Sequence, residues 1–278
     1  MLPIIMADGS KRIIPESDKM DLAVSVLENF FTCNIENQSC SALSDNLMFH
    51  HTEMLTHFRR CFLGKGPMFP ICPEKRCIEM LYKHCIERRV VVMKTIRLPM
   101  TLMERLLNRF PNLRVIHLVR DPRATLNSEI MAGHGQWKSI DSISMEFCDR
   151  VHEDIISAIE LSKKFKNRIL RIRYEDLIFN PFSTTRRMYN FGRLNYTGRT
   201  EDFLRLNIYG ESDDDEFLTD KYEKTGPERS RRWRSFVTFS NAEIIDHNCA
   251  AVYKHLGYKT VQNEETYNNI SNNLFKSI

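Results

Sequence analysis

The stretch from Arg114 to Ser128, RVIHLVRDPRATLNS, holds the residue types and spacing best suited to chemistry. Its first half is an apolar, β-branched run that reads as a buried strand. The run closes on Arg120, after which Asp121 reads as an N-cap and Pro122 as the first residue of a helix. A strand that ends in arginine and turns at once into a capped helix sets a guanidinium beside the positive end of a helix dipole. Arg120 can grip two oxygens through its planar fork, and Ser128, two turns along the helix, can donate its hydroxyl to a third. This is a phosphate site built without glycines. The plainer alternative is that Arg120 pairs with Asp121 or a core carboxylate and Ser128 is an ordinary helix residue.

Other groups offer less. Lys224, Arg229, Arg231, Arg232 and Arg234 cluster around Thr225 and Trp233, which reads as a charged, solvated segment with one buried tryptophan. Tyr174, Glu175 and Asp176 follow a third apolar run and could form a proton-transferring pair. Acids in that position more often cap the next helix and pair with nearby arginines, so they are read as structural. His50, His51 and His134 could each act as a base near neutral pH, but none has a partner that can be named from the sequence. Cys72, Cys77, His84 and Cys85 have the wrong spacing for the usual zinc knuckles, and no metal is expected.

These residues need elements to hold them. Apolar periodicity predicts helices at Met20–Phe31, Cys77–Arg88, Leu102–Phe110, from Pro122 to about Met131, Ser144–Phe165, beyond Pro181, and Asn241–His255. Short apolar runs at Val90–Met93, Arg114–Val119 and Arg168–Tyr174 predict three strands. Strand, helix and strand within thirty residues make a crossover unit, so the pairing should be parallel and the class α/β. Residues 1–19 read as an irregular segment, 20–261 as one domain, and the asparagine-rich 262–278 as a disordered tail. Glu211–Glu216 is an acidic loop.

Composition narrows the function classes. No GxGxxG or GxxxxGK[ST] pattern occurs among the 10 glycines, so the common dinucleotide and ATPase fingerprints are absent. A net charge of +4, from 40 basic and 36 acidic residues, is too mild for a duplex nucleic-acid binder, and no nucleic-acid partner is expected. No apolar run approaches the roughly 18 residues needed to cross a bilayer, and a signal peptide is not apparent, so no membrane span is expected. Eight cysteines and three N-x-[ST] sequons, at Asn37, Asn195 and Asn269, together favour an oxidising, secretory compartment.

RDPRATLNS resembles the 3′-phosphate-binding motif of sulfotransferases, and the longer run VIHLVRDPRATLNS is similar to carbohydrate sulfotransferases that modify galactose, N-acetylglucosamine or N-acetylgalactosamine. Further blocks fall in the family's order: VVMKTIRL at Val91–Leu98, RIRYEDLIFNP at Arg171–Pro181, WRSFVTF at Trp233–Phe239 and HNCAAVYKHLGY at His247–Tyr258. The resemblance runs from about Met20 to Val261. It implies a parallel-sheet, P-loop-kinase-like sulfotransferase fold with 3′-phosphoadenosine 5′-phosphosulfate as donor and a glycan or glycosaminoglycan hydroxyl, usually the 6-hydroxyl, as acceptor, in the Golgi lumen. It places Arg120 and Ser128 on the 3′-phosphate, with Asp121, Pro122, Arg123, Ala124, Thr125, Leu126 and Asn127 forming the motif between them. Lys224 and Arg229 become candidate contacts where the family closes over the nucleotide. The family also tends to carry cysteines near Cys148 and Cys249, which implies a disulfide between them. It leaves the catalytic base unassigned.

Two departures stand out. The family begins its catalytic domain with a strand and an R-[ST]-G-[ST]-[ST] loop for the 5′-phosphosulfate, and this sequence contains no such loop. The nearest stretch, Ala7 to Arg12, leads into Ile13-Ile14-Pro15, which cannot open the helix whose amides should face the anion. The first βα unit is therefore expected to be missing and turnover poor. In addition, Glu129 stands where the family usually has arginine, and it would oppose an anion only if it faced the site.

Overall fold

The computed structural model describes residues 2–43, 58, 60–61, 72–96, 98–133, 137–209, 226–269 and 271–276. It divides into two compact units, Met1–Leu106 and Leu107–Ile278.

The first unit opens with an antiparallel hairpin of β1 (Leu2–Ile5) and β2 (Lys11–Ile14), with Pro3 opposite Ile13 and Ile5 opposite Lys11. Residues expected to be irregular are thus ordered, because Gly9 takes φ +84° and lets the chain reverse. Helix α1 (Lys19–Phe31) buries Val24, Leu27 and Phe30, three residues apart on one face. Helix α2 (Lys75–Ile86) contributes Cys77, Ile78 and Leu81 to the same core. Disulfides Cys33–Cys85, Cys40–Cys72 and Cys61–Cys77, with Cα separations of 5.7, 4.8 and 5.8 Å, cross-link this small core. They engage Cys72, Cys77 and Cys85, the thiols of the sequence considered for zinc.

Val90–Met93, expected as a strand, is irregular, and Val92 is 75% exposed. A four-residue apolar run is a strand only when a neighbour takes up its backbone groups, and among the described residues none does. The expected crossover from this run to Val119 is therefore not formed.

The second unit carries the parallel pair. β3 (Val115–Val119) runs alongside β4 (Ile169–Arg173) in the register Val115↔Ile169 to Val119↔Arg173. Between them lie α3 (Pro122–Met131) and the long α4 (Ile140–Lys164), whose N-cap Ser139 accepts from the Ser142 amide. A parallel pair requires such a crossover, and the expected second and third strands are those that pair. After β4 come Tyr174–Phe179 and Pro181–Gly192, then Gly198–Tyr209, Gly226–Arg231 and Phe239–Asn248. The expected final helix is broken at Cys249 and resumes at Ala250–Leu256. Cys148 of α4 is bonded to Cys249 across this break, as the resemblance implied, with a Cα separation of 5.1 Å. Its sequence separation of 101 residues corresponds to about 4–5 kcal/mol in the chain-entropy model.

The core of this unit gathers Val119, Leu126, Phe147, Ile155, Ile245 and Val252 around Trp233. The described residues of the asparagine-rich end, 262–269 and 271–276, pack against the second unit's core. Glu264–Asn268 is helical, Tyr267 is buried against Trp233, and Phe275 forms a bridge with Tyr258. Buried guanidiniums account for this. Arg234 donates to the carbonyls of Asn269 and Asn272, and Arg173 to that of Lys276, at 3.2, 2.6 and 2.8 Å. Arginines that enter a core need acceptors, and the tail supplies them.

Candidate anion-binding site at the end of the parallel strands

The site forms where β3 and β4 end together. Val119 and Arg173 are partners in register, so the next residues, Arg120 and Tyr174, emerge side by side. The Arg120 guanidinium lies over the Tyr174 ring at 4.7 Å from its centroid. Its Nε is buried and has no hydrogen-bond partner among the described residues. The alternative in which Arg120 pairs with Asp121 is not what the structure holds, because Asp121 is engaged elsewhere.

Asp121 caps α3 by accepting from the Arg123 amide at 3.0 Å, and Pro122 occupies the first turn, as the sequence reading expected. The same carboxylate accepts twice from the Arg123 side chain, at 2.9 and 2.8 Å. The N-terminus of α3 is therefore already supplied with a negative charge.

Arg123 is completely buried. Besides Asp121 it bonds to the Asp246 carboxylate and the Lys259 carbonyl, each at 3.1 Å, and it stacks on Trp233 and Tyr253. Burial would pull this guanidinium toward neutrality, but the Asp121 carboxylate outweighs it and, with Tyr253 and Asp246, fixes the charge. Arg123 cannot touch a ligand, so its part in the motif is to brace the turn. Ala124 and Leu126 face the core. Thr125 donates its hydroxyl to the Asp121 carbonyl at 3.1 Å, and the Asn127 amide lies 3.7 Å from the Met131 sulfur.

Ser128 is exposed on α3 and donates to the Ala124 carbonyl at 3.0 Å, a local bond that a ligand oxygen can replace. Glu129 lies toward α4, with its carboxylate 3.9 Å from Arg150. The Arg150 guanidinium there offsets part of its charge.

A second buried carboxyl holds the turn from below. Glu175 accepts from the Asp121 amide at 3.0 Å and from the Tyr258 hydroxyl at 2.7 Å. Burial, assisted by the Asp121 charge, pushes its pKa above the usual carboxylate range. Arg173 pairs with Asp176 at 2.5 Å. The acids after β4 are thus structural, as expected from the sequence. Trp233 is buried in the core beneath Arg123, again as expected. Nearby, burial and the Arg123 charge push Arg234 down to about 10.

Of the remaining candidates, Arg229 is half-buried on Gly226–Arg231 with no ion pair among the described residues. Lys224, His50, His51 and His134 lie outside the described residues. The stretch Ala7 to Arg12 is a hairpin turn: the Gly9 amide donates to the Met6 carbonyl, the Ser10 amide to the Asp8 carboxylate, and a strand follows where a phosphate loop needs a helix. Sequence reasoning missed Tyr174 as the platform for Arg120, and Asp246 and Tyr258 as braces. Parallel pairing of the two runs would have revealed Tyr174, because both residues come directly after the strands. Asp246 and Tyr258 carry no such signal.

The comparisons with known proteins agree with this architecture. A family model described as "Sulfotransferase family" matches residues 34–198. Carbohydrate sulfotransferase 3 of Mus musculus is 26% identical over 226 residues, covering 74% of this chain and 48% of the relative. Its Homo sapiens counterpart is 26% identical over 227 residues, covering 74% and 47%. Carbohydrate sulfotransferase 6 of Homo sapiens is 28% identical over 181 residues, covering 58% and 45%. The chain spans about half the length of the curated relatives it matches. With the motif RDPRATLNS inside the matched region and Arg120 held ready at its start, the chain belongs to the sulfotransferase family, a family of enzymes, and is similar within it to the carbohydrate sulfotransferases.

Proposed function

We propose that this chain binds 3′-phosphoadenosine 5′-phosphosulfate and serves in transfer of its sulfuryl group to a sugar hydroxyl, the 6-hydroxyl of a glycan or glycosaminoglycan, within the Golgi lumen. In this reading the fold is of the P-loop-kinase-like sulfotransferase type. The observation that carries it is Arg120, whose buried Nε has no partner and whose guanidinium is held on Tyr174 beside the helix that bears Ser128. Arg120 forms two charged hydrogen bonds to the 3′-phosphate and Ser128 a third. Arg229 or Lys224, of the later basic segment, is the candidate for a further contact to the nucleotide. The motif residues between play supporting parts, Asp121 and Arg123 as a buried brace and the others as helix.

The chemistry is in-line transfer to the acceptor oxygen, with the acceptor proton passing to a base and charge developing on the leaving phosphate oxygen. The 3′-phosphate lies away from the breaking bond. Its contribution is to fix the donor in position, which is a large part of what accelerates group transfer. Four disulfides suit an oxidising compartment, and among the described residues no helix is long and apolar enough to cross a membrane.

A second reading is favoured by the hairpin at Ala7–Arg12, which uses its own amides within the turn. Here the chain holds the 3′ half of the donor and transfers slowly or not at all, because losing even one well-placed donor to the transferring group costs about 100- to 1,000-fold in rate. The two readings separate in one experiment. Transfer of labelled sulfate to keratan, chondroitin and N-acetylglucosamine acceptors is measured for this chain and for the same chain with an R-[ST]-G-[ST]-[ST] strand and loop joined to it. Turnover by both supports the first reading, and turnover only with the added loop supports the second. Failure of either protein to bind 3′-phosphoadenosine 5′-phosphate rejects both.

A further inference from the structure

The first unit holds a cavity of about 250 Å³ between the β1–β2 hairpin, α1 and the turn at Ile35–Asn37. Its walls are of two kinds: Ile14, Leu22 and Val26 make an apolar side, and Asn29, Asn34 and Gln38 a carboxamide side. Gln38 is completely buried; its Nε2 donates to the Val26 carbonyl at 2.8 Å, and its Oε1 has no hydrogen-bond partner among the described residues. Asn37 also lines the cavity, yet it is exposed, so it stands at the mouth. It opens the sequon Asn37-Gln38-Ser39, the acceptor pattern for N-linked sugar. Its Nδ2 donates to the Asn34 Oδ1 at 2.8 Å, and its carbonyl accepts from the Asn29 Nδ2 at 2.8 Å, so the acceptor nitrogen is held at the carboxamide side.

We propose that Asn37 is an N-glycosylation site and that this cavity seats the first N-acetylglucosamine of the glycan it carries. The sugar comes from a lipid-linked pyrophosphate donor. The bond from its C1 to the pyrophosphate oxygen breaks, a bond from C1 to the Asn37 Nδ2 forms, the nitrogen gives up one proton to a base of the transferring enzyme, and the lipid pyrophosphate leaves. One N–H stays on Nδ2 for the Asn34 bond. The cavity is smaller than the ~300–1,000 Å³ that holds a drug-sized ligand, which suits one sugar residue and not a chain. A sugar ring presents C–H groups on its faces and hydroxyls on its rim, and the acetamido group matches the Asn29 and Asn34 side chains in both donor and acceptor. Weak contacts suffice, because a sugar tethered at the mouth meets the cavity at high effective concentration.

The other two sequons lack this setting. Asn195 is exposed in a loop, and the Asn269 Oδ1 accepts from the Ser271 amide at 3.1 Å; neither residue lines the cavity. Ser39 is buried and its hydroxyl is 3.1 Å from that of Ser41, which is no obstacle, because a sequon is read on the extended chain before folding. The inference rests on the luminal part of the reading above and is independent of the nucleotide site.

The test uses the intact chain, secreted from eukaryotic cells and trimmed enzymatically until each occupied asparagine keeps one N-acetylglucosamine. Peptide mapping should find Asn37 occupied. Thermal unfolding of the trimmed protein should lie roughly 2–4 °C above that of Asn37→Gln. Unaltered chain made with N-glycosylation blocked should unfold with Asn37→Gln, which separates the sugar's effect from loss of the Asn34 bond and serves if the variant does not fold. Asn195→Gln and Asn269→Gln should leave the midpoint in place. In the trimmed protein, the acetyl methyl of the sugar should show nuclear Overhauser contacts to the methyl groups of Leu22 and Val26. Occupancy at Asn195 or Asn269 with Asn37 bare overturns the site and leaves the luminal reading standing, whereas no sugar at any of the three overturns both. An occupied Asn37 whose sugar moves neither the midpoint nor the methyl contacts overturns the seating.

Discussion

Arg120 and Ser128 should not contribute equally to nucleotide binding, and their difference can be worked out from the bonds each makes within the protein. Arg120 as a whole is half-buried and its Nε has no partner among the described residues, so its guanidinium keeps donor capacity that a phosphate can take up. Its guanidinium is already held on Tyr174, so little further ordering is required. A charged hydrogen bond contributes about 1.5–3 kcal/mol, which corresponds to about 12- to 160-fold in affinity. Ser128, by contrast, donates to the Ala124 carbonyl at 3.0 Å and must exchange that bond for the ligand. The net gain is at the low end of a neutral bond, about 0.5–1 kcal/mol, or about 2- to 5-fold. Calorimetry with 3′-phosphoadenosine 5′-phosphate at one fixed ionic strength should therefore show Arg120→Ala at least about ten-fold weaker and Ser128→Ala only a few-fold weaker. Unchanged affinity in Arg120→Ala would remove the site. A loss in Ser128→Ala as large as that in Arg120→Ala would refute the reasoning from existing bonds, even with the site intact.

Two further outcomes concern stability. Burial, reinforced by the charge of its register partner Arg171, pushes the His117 imidazole down to about 4 from its usual value near 6.5. Above pH 6.5 both folded and unfolded forms are neutral and the contribution is fully present; between 6.5 and 4 the unfolded chain takes up a proton that the folded chain refuses, so stability falls by on the order of 3 kcal/mol. Urea midpoints at pH 7 and 4.5 should show this loss, and His117→Gln should flatten it; parallel profiles for the two proteins would be the contrary result. Replacing Arg123 with methionine leaves the Asp121 and Asp246 carboxylates buried without their counter-ion, which should destabilise the fold by about 3–5 kcal/mol in urea titration. A change below about 1 kcal/mol would mean that the network relaxes and that Arg123 does not brace the turn.

The local chemistry of the turn at Asp121 and Pro122 is legible in the chain itself. Asp121 before Pro122 is a capping signal whose partners are two residues away, and the helix runs from Pro122 to Met131 as that signal implies. Helices such as Lys19–Phe31 and Lys75–Ile86 follow from apolar spacing for the same reason, since burying one face depends on near neighbours in sequence. The eight cysteines and the compartment they favour are likewise matters of composition. Tertiary structure decided whatever depends on a distant partner. Val90–Met93 has strand composition, yet a strand exists only where another supplies its hydrogen bonds, and among the described residues none does. The asparagine-rich end reads as unfolded until Arg173, Arg231 and Arg234 draw its carbonyls and the Asn273 amide oxygen inward. Arg120 and Arg123 are the same residue type three positions apart, one held open on Tyr174 and the other sealed between Asp121 and Asp246. That Arg123 is sealed depends in part on Asp246, 123 residues beyond it, because a buried charge must find its counter-charge wherever the fold brings one.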